Sequence, residues 1–218
     1  MYHTIHAIVN VLIDLFIHRD YIGIDNFPDP PYILVTNHLS IFDTPVLLTI
    51  CPHTIRALVA AKHKRNPIYA PLLVMMDSIW VRRGEVDRQA LRQALGVLKG
   101  GGVLGVAPEG TRARDTYALQ EGKTGAAYLA TRTDVLIVPV GLAGTEHIKH
   151  NLSRLRRTHV QAIVGQPFRL PESGRVRGQR LQEYTDLIMH SIAELLPEEY
   201  RGVYAWNNSP RVLRKILK

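Results

Sequence analysis

The stretch Tyr32-Ile33-Leu34-Val35-Thr36-Asn37-His38-Leu39-Ser40-Ile41-Phe42-Asp43 changes character at its midpoint. Tyr32–Thr36 is a continuous apolar run with β-branched residues. It is too short for a typical helix and is preceded by the turn Phe27-Pro28-Asp29-Pro30-Pro31. Such a run reads as a strand buried on both faces, as in a parallel sheet covered by helices. Polar side chains follow at once: Asn37, His38, Ser40 and Asp43. Just past the carboxyl end of a strand is where α/β sheets place their ligands.

The rest of the chain repeats this alternation. Upstream, Tyr21–Ile24 reads as a short strand. Downstream, a helix is expected from Pro45 to Ile50 with Thr44 as cap and Pro45 as first helical residue. Ser40-x-x-Asp43 competes as a capping box. Strands are expected at Arg56–Ala60, Ile79–Val81, Val103–Ala107, Val135–Val140 and Val160–Val164, and helices at Pro67–Met76, Asp87–Lys99, Thr124–Thr131 and Leu181–Leu196. The helix Asp87–Lys99 carries Ala90, Leu91, Ala94, Leu95 and Leu98 on one side and stops at Gly100-Gly101-Gly102. The fold class is therefore α/β: a mixed, largely parallel sheet covered by helices on both faces.

At 218 residues the chain suits one domain with a small N-terminal appendage, and 46% hydrophobic residues are enough for a real core. One cysteine, Cys51, excludes an intrachain disulfide and fits a reducing compartment. Cys51 precedes Pro52 at an expected helix end, where a structural role is expected. The net charge of +8 favours polyanions: nucleic acid, an anionic membrane surface or phosphorylated substrates. No nucleic-acid-binding motif is present. The histidines show no His-x3-His spacing, and no metal is expected.

Residues 1–17 are apolar but lack a basic n-region and an Ala-x-Ala-like cleavage site, so no signal peptide is expected. The run Ala7–Ile13 is broken by Asn10 and followed by Asp14, too short for a membrane span. His3, His6, Asn10, Asp14 and His18 recur at steps of three or four and draw one narrow polar stripe on an apolar helix. That helix either packs on the core or lies in a lipid interface. The division expected is an N-terminal amphipathic membrane-association helix at residues 1–20 and a domain at 21–218.

Four segments carry the candidate chemistry. His38 and Asp43 are five apart, not a same-face helical spacing, and meet only across a turn. An Asp on one imidazole nitrogen fixes the tautomer, and the other nitrogen can take a proton from a hydroxyl. Capping a loop is the plainer alternative for the pair. Arg82 and Arg83 end a strand, where they either grip a phosphate or form a solvated basic patch. Pro108-Glu109-Gly110-Thr111-Arg112 follows Val103–Ala107: Gly110 permits a tight turn, Arg112 supplies fixed charge, and Glu109 can orient an arginine. Val138-Pro139-Val140-Gly141 is expected to supply an apolar wall, with plain core packing as the alternative for Val138 and Val140. Two clusters, Lys62-His63-Lys64-Arg65 and Arg154-x-Arg156-Arg157, are either solvated faces or contacts to anionic headgroups. Leu72, Leu73, Val74, Met75 and Met76 either line an acyl tunnel or pack the core.

Asn-His-x4-Asp, an Arg-bearing strand end, Glu-Gly-Thr-Arg and a Val-Pro strand, in this order, resemble the glycerolipid acyltransferase family, typified by the 1-acyl-sn-glycerol-3-phosphate acyltransferases. The resemblance runs from about Tyr21 to Gly165. It implies a general base, His38, with Asp43 as partner, and binding of the acceptor phosphate by Glu109, Gly110, Thr111 and Arg112, helped by Arg83. An acidic residue often precedes that arginine, and Arg82 stands there instead, so the choice between Arg82 and Arg83 is open. The resemblance implies acyl transfer from acyl-CoA or acyl carrier protein to a phosphate-bearing glycerolipid, most simply 1-acylglycerol 3-phosphate to phosphatidic acid. Glycerol 3-phosphate, a lysophospholipid or a lipid-linked sugar are other acceptors, and a non-catalytic basic membrane-binding protein is the rival class. No cofactor beyond the thioester donor is implied. The partners are donor, lysophospholipid acceptor and an anionic membrane surface, with no nucleic acid. The place is the cytoplasmic face of the membrane, peripheral or monotopic.

Overall fold

A computed structural model describes residues 9–11, 13–67, 69–82, 84, 87–112 and 116–205. The strands are β1 (Ile17–Ile22), β2 (Tyr32–Thr36), β3 (Ile55–Ala60), β4 (Ile79–Val81), β5 (Val103–Val106), β6 (Leu136–Ala143) and β7 (Thr158–Val164). The helices are α1 (Asp43–Ile50), α2 (Ala70–Met75), α3 (Arg88–Lys99), α4 (Gly125–Thr133), α5 (Ile148–Leu152) and α6 (Gln179–Ala193). Among the described residues one seven-stranded sheet runs β1-β7-β6-β2-β5-β3-β4. Every pairing is parallel except β6 with β7.

The period-two alternation of a strand divides the core in two. On β2, Ile33 and Val35 pack with α3, α4 and α6, among them Leu98, Leu129 and Ile188. Tyr32 and Leu34 point the other way, to α1 and the N-terminal segment, with Val46, Ile50, Ile13 and Ile17. Two-sided burial explains why β2 reads as an unbroken apolar run.

The structure moves the start of the first strand. Residues 9–11 and 13–16 are helical, but Ile17 to Asp20, expected within the helix, begin β1 and pair with β7. His18 thus leaves the polar stripe and is exposed on a strand, while His3 and His6 lie outside the described residues. Arg19, on β1, donates to Asn10 Oδ1 at 3.0 Å and Asn10 O at 2.8 Å, and meets Asp14 Oδ1 at 2.7 Å. Two members of the polar stripe, Asn10 and Asp14, are thus satisfied by the protein itself. Ile13 packs in the core, whereas Val11 and Leu15 are 68% and 62% exposed.

Other departures are local. Helix α1 starts at Asp43, so Pro45 is its third residue, where a missing N–H still costs nothing. Half the capping box forms: Asp43 Oδ2 accepts the Ser40 N–H at 3.0 Å, while Ser40 Oγ accepts the Phe42 N–H. Cys51 is buried, with the Tyr32 hydroxyl 3.1 Å from its sulfur. Of the run Leu72–Met76, Leu73 is buried and Val74 is 65% exposed.

Candidate active site

The parallel strands β2, β3, β5 and β6 end at one sheet edge, and the site is built there. Asn37 locks its floor: its amide donates to the Leu142 carbonyl and accepts the Leu142 N–H, both at 2.8 Å, carrying the β2–β6 pairing past its last rung. His38 then turns out of the sheet.

The turn between His38 and Asp43 exists. Asp43 Oδ2 lies 2.7 Å from His38 Nδ1 and also accepts the N–H groups of Leu39 and Ser40, at 2.9 and 3.0 Å. Oδ1 accepts the Thr145 hydroxyl at 2.5 Å, and Ser40 Oγ reaches the Thr145 carbonyl at 3.1 Å. The Asp43 side chain is 3% exposed and that of His38 24%. A carboxylate accepting from Nδ1–H leaves Nε2 as the imidazole's free acceptor, able to take a proton from a hydroxyl.

Glu109, expected from its place in the motif to orient an arginine, pairs with none among the described residues. Its Oε1 accepts the His38 backbone N–H and its Oε2 the Gln120 N–H, each at 3.0 Å. It is 2% exposed, and burial pushes its carboxyl above the usual range, against the two amides it accepts. Glu109 therefore ties the turn after β5 to the turn after β2. Glu109→Gln should retain one hydrogen bond and turn an NH2 against an N–H. The expected cost is about 1–3 kcal/mol, seen as a fall of several degrees in Tm by calorimetry.

Gly110 adopts φ +67, and a Cβ there would stand 2.9 Å from Lys123 Nζ. Lys123 is held in turn by its N–H on the Pro108 carbonyl at 2.9 Å. Arg112 is half-buried and Thr111 exposed. Arg83 lies outside the described residues. Tyr69, whose hydroxyl donates to Thr44 Oγ1 at 2.7 Å, is pushed up to about 12 by burial.

A cavity of about 770 Å3 joins these parts. At its polar end are His38, Asp43, Gly110, Arg112 and Lys123. Its apolar end follows a fork in the sheet. Strand β3 pairs with β5 through Ala57 and Gly105, then with β4 from Leu58 onward. Leu58 and Val59 line one arm of the fork, Val106 and Ala107 the other, and Leu91 and Leu95 of α3 also face the cavity. Of the run Leu72–Met76, Met76 alone lines it, and among the described residues Arg82 lines it too. Thr111 is absent from its wall.

Thr145 and Lys123 were not among the candidates read from the sequence. Thr145 is 102 residues from its partner Asp43, and nothing local marks it beyond its place after a strand. Lys123 precedes a helix and carries no local mark that sets it apart from other lysines.

Residues 18–143 match the Acyltransferase family, and the chain belongs to that family. Over 161 residues it is 30% identical to the N-acylphosphatidylethanolamine synthase of Arabidopsis thaliana, covering 65% of this chain and 57% of that protein. Over 152 residues it is 30% identical to the chloroplastic 1-acyl-sn-glycerol-3-phosphate acyltransferase LPAT1 of the same plant, covering 67% and 42%. The chain thus spans about half the length of these curated relatives. Among solved structures it resembles the 1-acyl-sn-glycerophosphate acyltransferase PlsC of Thermotoga maritima, with a TM-score of 0.68 and 25% identity over 89% of this chain and 79% of that one.

Proposed function

We propose that this protein transfers a fatty acyl group from an acyl thioester, acyl-CoA or acyl carrier protein, to the hydroxyl of a phosphate-bearing glycerolipid, with 1-acylglycerol 3-phosphate as acceptor and phosphatidic acid as product. One observation carries the reading. A histidine oriented by a buried carboxylate shares a cavity with Arg112 and Lys123, and that cavity continues into an apolar arm. The cations suit a phosphate and the arm suits an acyl chain.

In this mechanism His38 Nε2 accepts the hydroxyl proton as the acceptor oxygen attacks the thioester carbonyl. The tetrahedral intermediate collapses, the C–S bond breaks, and the thiolate leaves with the proton from the imidazolium. Asp43 stabilises the imidazolium between the two steps. A phosphate on Arg112 holds the hydroxyl at His38. The test is purified protein with labelled acyl-CoA and acyl carrier protein, and a panel of 1-acylglycerol 3-phosphate, glycerol 3-phosphate, a neutral lysophospholipid and phosphatidylethanolamine. Chromatography of the products decides the acceptor. Equal transfer to the neutral lysophospholipid or to phosphatidylethanolamine, whose phosphates are diesters, overturns the assignment.

Peripheral or monotopic association with the cytoplasmic face of the membrane belongs to the same proposal. Among the described residues no helix is long and apolar enough to cross a membrane. The exposed Val11 and Leu15 give the N-terminal segment an apolar side open to lipid. Replacing both by Asp should reduce sedimentation with anionic liposomes, since burying each side chain is worth about 1.5–3 kcal/mol. Unchanged sedimentation rejects the role of this segment.

A further inference from the structure

Leu155 sits where a glycine is expected. After α5 the chain closes with the Leu155 N–H on the Leu152 carbonyl at 3.1 Å and the Arg156 N–H on the Asn151 carbonyl at 2.9 Å. This is the Schellman pattern that ends a helix, and its central residue takes the left-handed conformation usually given to glycine. Here that residue is Leu155, with φ +54. The conformation is sterically unfavourable for a residue with a Cβ. Nor does packing compensate: Leu155 is 93% exposed, more than any other large hydrophobic residue described. A large apolar side chain, held out from the surface at a steric cost, contributes nothing to the isolated fold.

Its surroundings identify a partner. Strand β7 is antiparallel to β6, with Ala143 opposite Gln161, so β7 starts at the sheet edge where β6 ends. That edge carries His38. Strand β1 is parallel to β7, with Ile17 opposite Thr158, so the helical residues 9–11 and 13–16 arrive at the same edge. Arg157 binds the two together, donating to the carbonyls of Asp14 and Ile17 at 2.7 and 2.6 Å. Exposed Val11, Leu15 and Leu155 are thus on connected elements at one edge. Exposed Arg154 and Arg156 flank the leucine, and Lys149, Lys62 and Arg65 are exposed at the same edge. The exposed carboxylate of Asp14 is paired with Arg19. An apolar tip flanked by cations fits an anionic lipid surface.

We propose that Leu155, flanked by Arg154 and Arg156, is a lipid-inserting anchor that sets the His38 edge of the sheet against an anionic bilayer. It rests on the membrane reading above and adds to it a second contact point, fixing orientation as well as attachment.

The experiment uses the full chain and vesicles of phosphatidylcholine with 30% phosphatidylglycerol. Leu155→Cys and Lys99→Cys each carry an environment-sensitive fluorophore, with unlabelled Cys51 buried in both. Lys99 ends α3, at the opposite edge of the sheet from His38. The label at 155 should shift to the blue and be quenched by bromolipid, and the label at 99 should stay as in water. Leu155→Gly relieves the backbone and removes the anchor, so its Tm should be unchanged or higher while vesicle partition falls about tenfold. Neutralising Arg154 and Arg156 to Gln should lower partition about fivefold each. A water-like label at 155 on protein that still sediments with the vesicles overturns the anchor and leaves the membrane reading standing. Failure to sediment at all overturns both. Unchanged vesicle partition, with loss of binding to an acidic carrier protein in the arginine variants, makes the loop a carrier dock instead.

Discussion

His38→Ala should lower the acyl-transfer rate by about 10²–10⁴, the usual contribution of a positioned general base. The fold should survive, because the links from this position to Glu109 and onward run through the backbone N–H, which alanine keeps. Far-ultraviolet circular dichroism and Tm then separate lost chemistry from lost structure. The geometry also predicts the rank of Asp43→Asn. The backbone amides of Leu39 and Ser40 both point at the oxygen that faces His38. The amide oxygen of asparagine must stay there, since its NH2 would meet two donors. The NH2 group falls against Thr145, whose hydroxyl can turn to accept. The tautomer survives and only the charge is lost, so the defect should be about 10–150-fold, one charge-assisted hydrogen bond. An Asp43→Asn defect equal to that of His38→Ala would mean the ring flips after all. Near-normal turnover by folded His38→Ala would remove the mechanism altogether.

Arg112→Ala should cost about 10–150-fold in acceptor kcat/KM, with the KM for the acyl donor nearly unchanged. The half-buried guanidinium lines the cavity that His38 enters, and its task is to hold a remote phosphate so that the hydroxyl lies at Nε2. Arg112→Lys should restore part of the loss, since an ammonium lacks the planar fork. Lys123 faces the same space across Gly110. If both cations hold one phosphate, Arg112→Ala with Lys123→Met should cost less than the sum of the single losses. Kinetics with both substrates varied decides the matter. A defect confined to the donor would assign these cations to the carrier's phosphate and end the acceptor assignment.

The sequence by itself determined what is local or periodic. An unbroken apolar run such as Tyr32–Thr36 is stable only between two covered faces, and its two sides do enter two separate cores. His38, Asp43, Gly110 and Arg112 could be named because each follows a strand whose carboxyl end must open on the site. Tertiary structure decided the rest. Glu109 looked like an arginine partner because opposite charges stood nearby in sequence. Its oxygens went instead to backbone amides 71 and 11 residues away. Thr145 reaches Asp43 only because β6 lies beside β2. The start of β1 was read as helix because an apolar segment carries no mark of its hydrogen-bonding partners, and Ile17–Ile22 become a strand only when β7 offers its edge. The reversed direction of β7 carries no local signature either, yet it brings the N-terminal segment and Leu155 to the edge that holds His38. Periodicity records which face a residue buries, whereas pairings between strands distant in sequence are chosen by the free energy of the whole sheet.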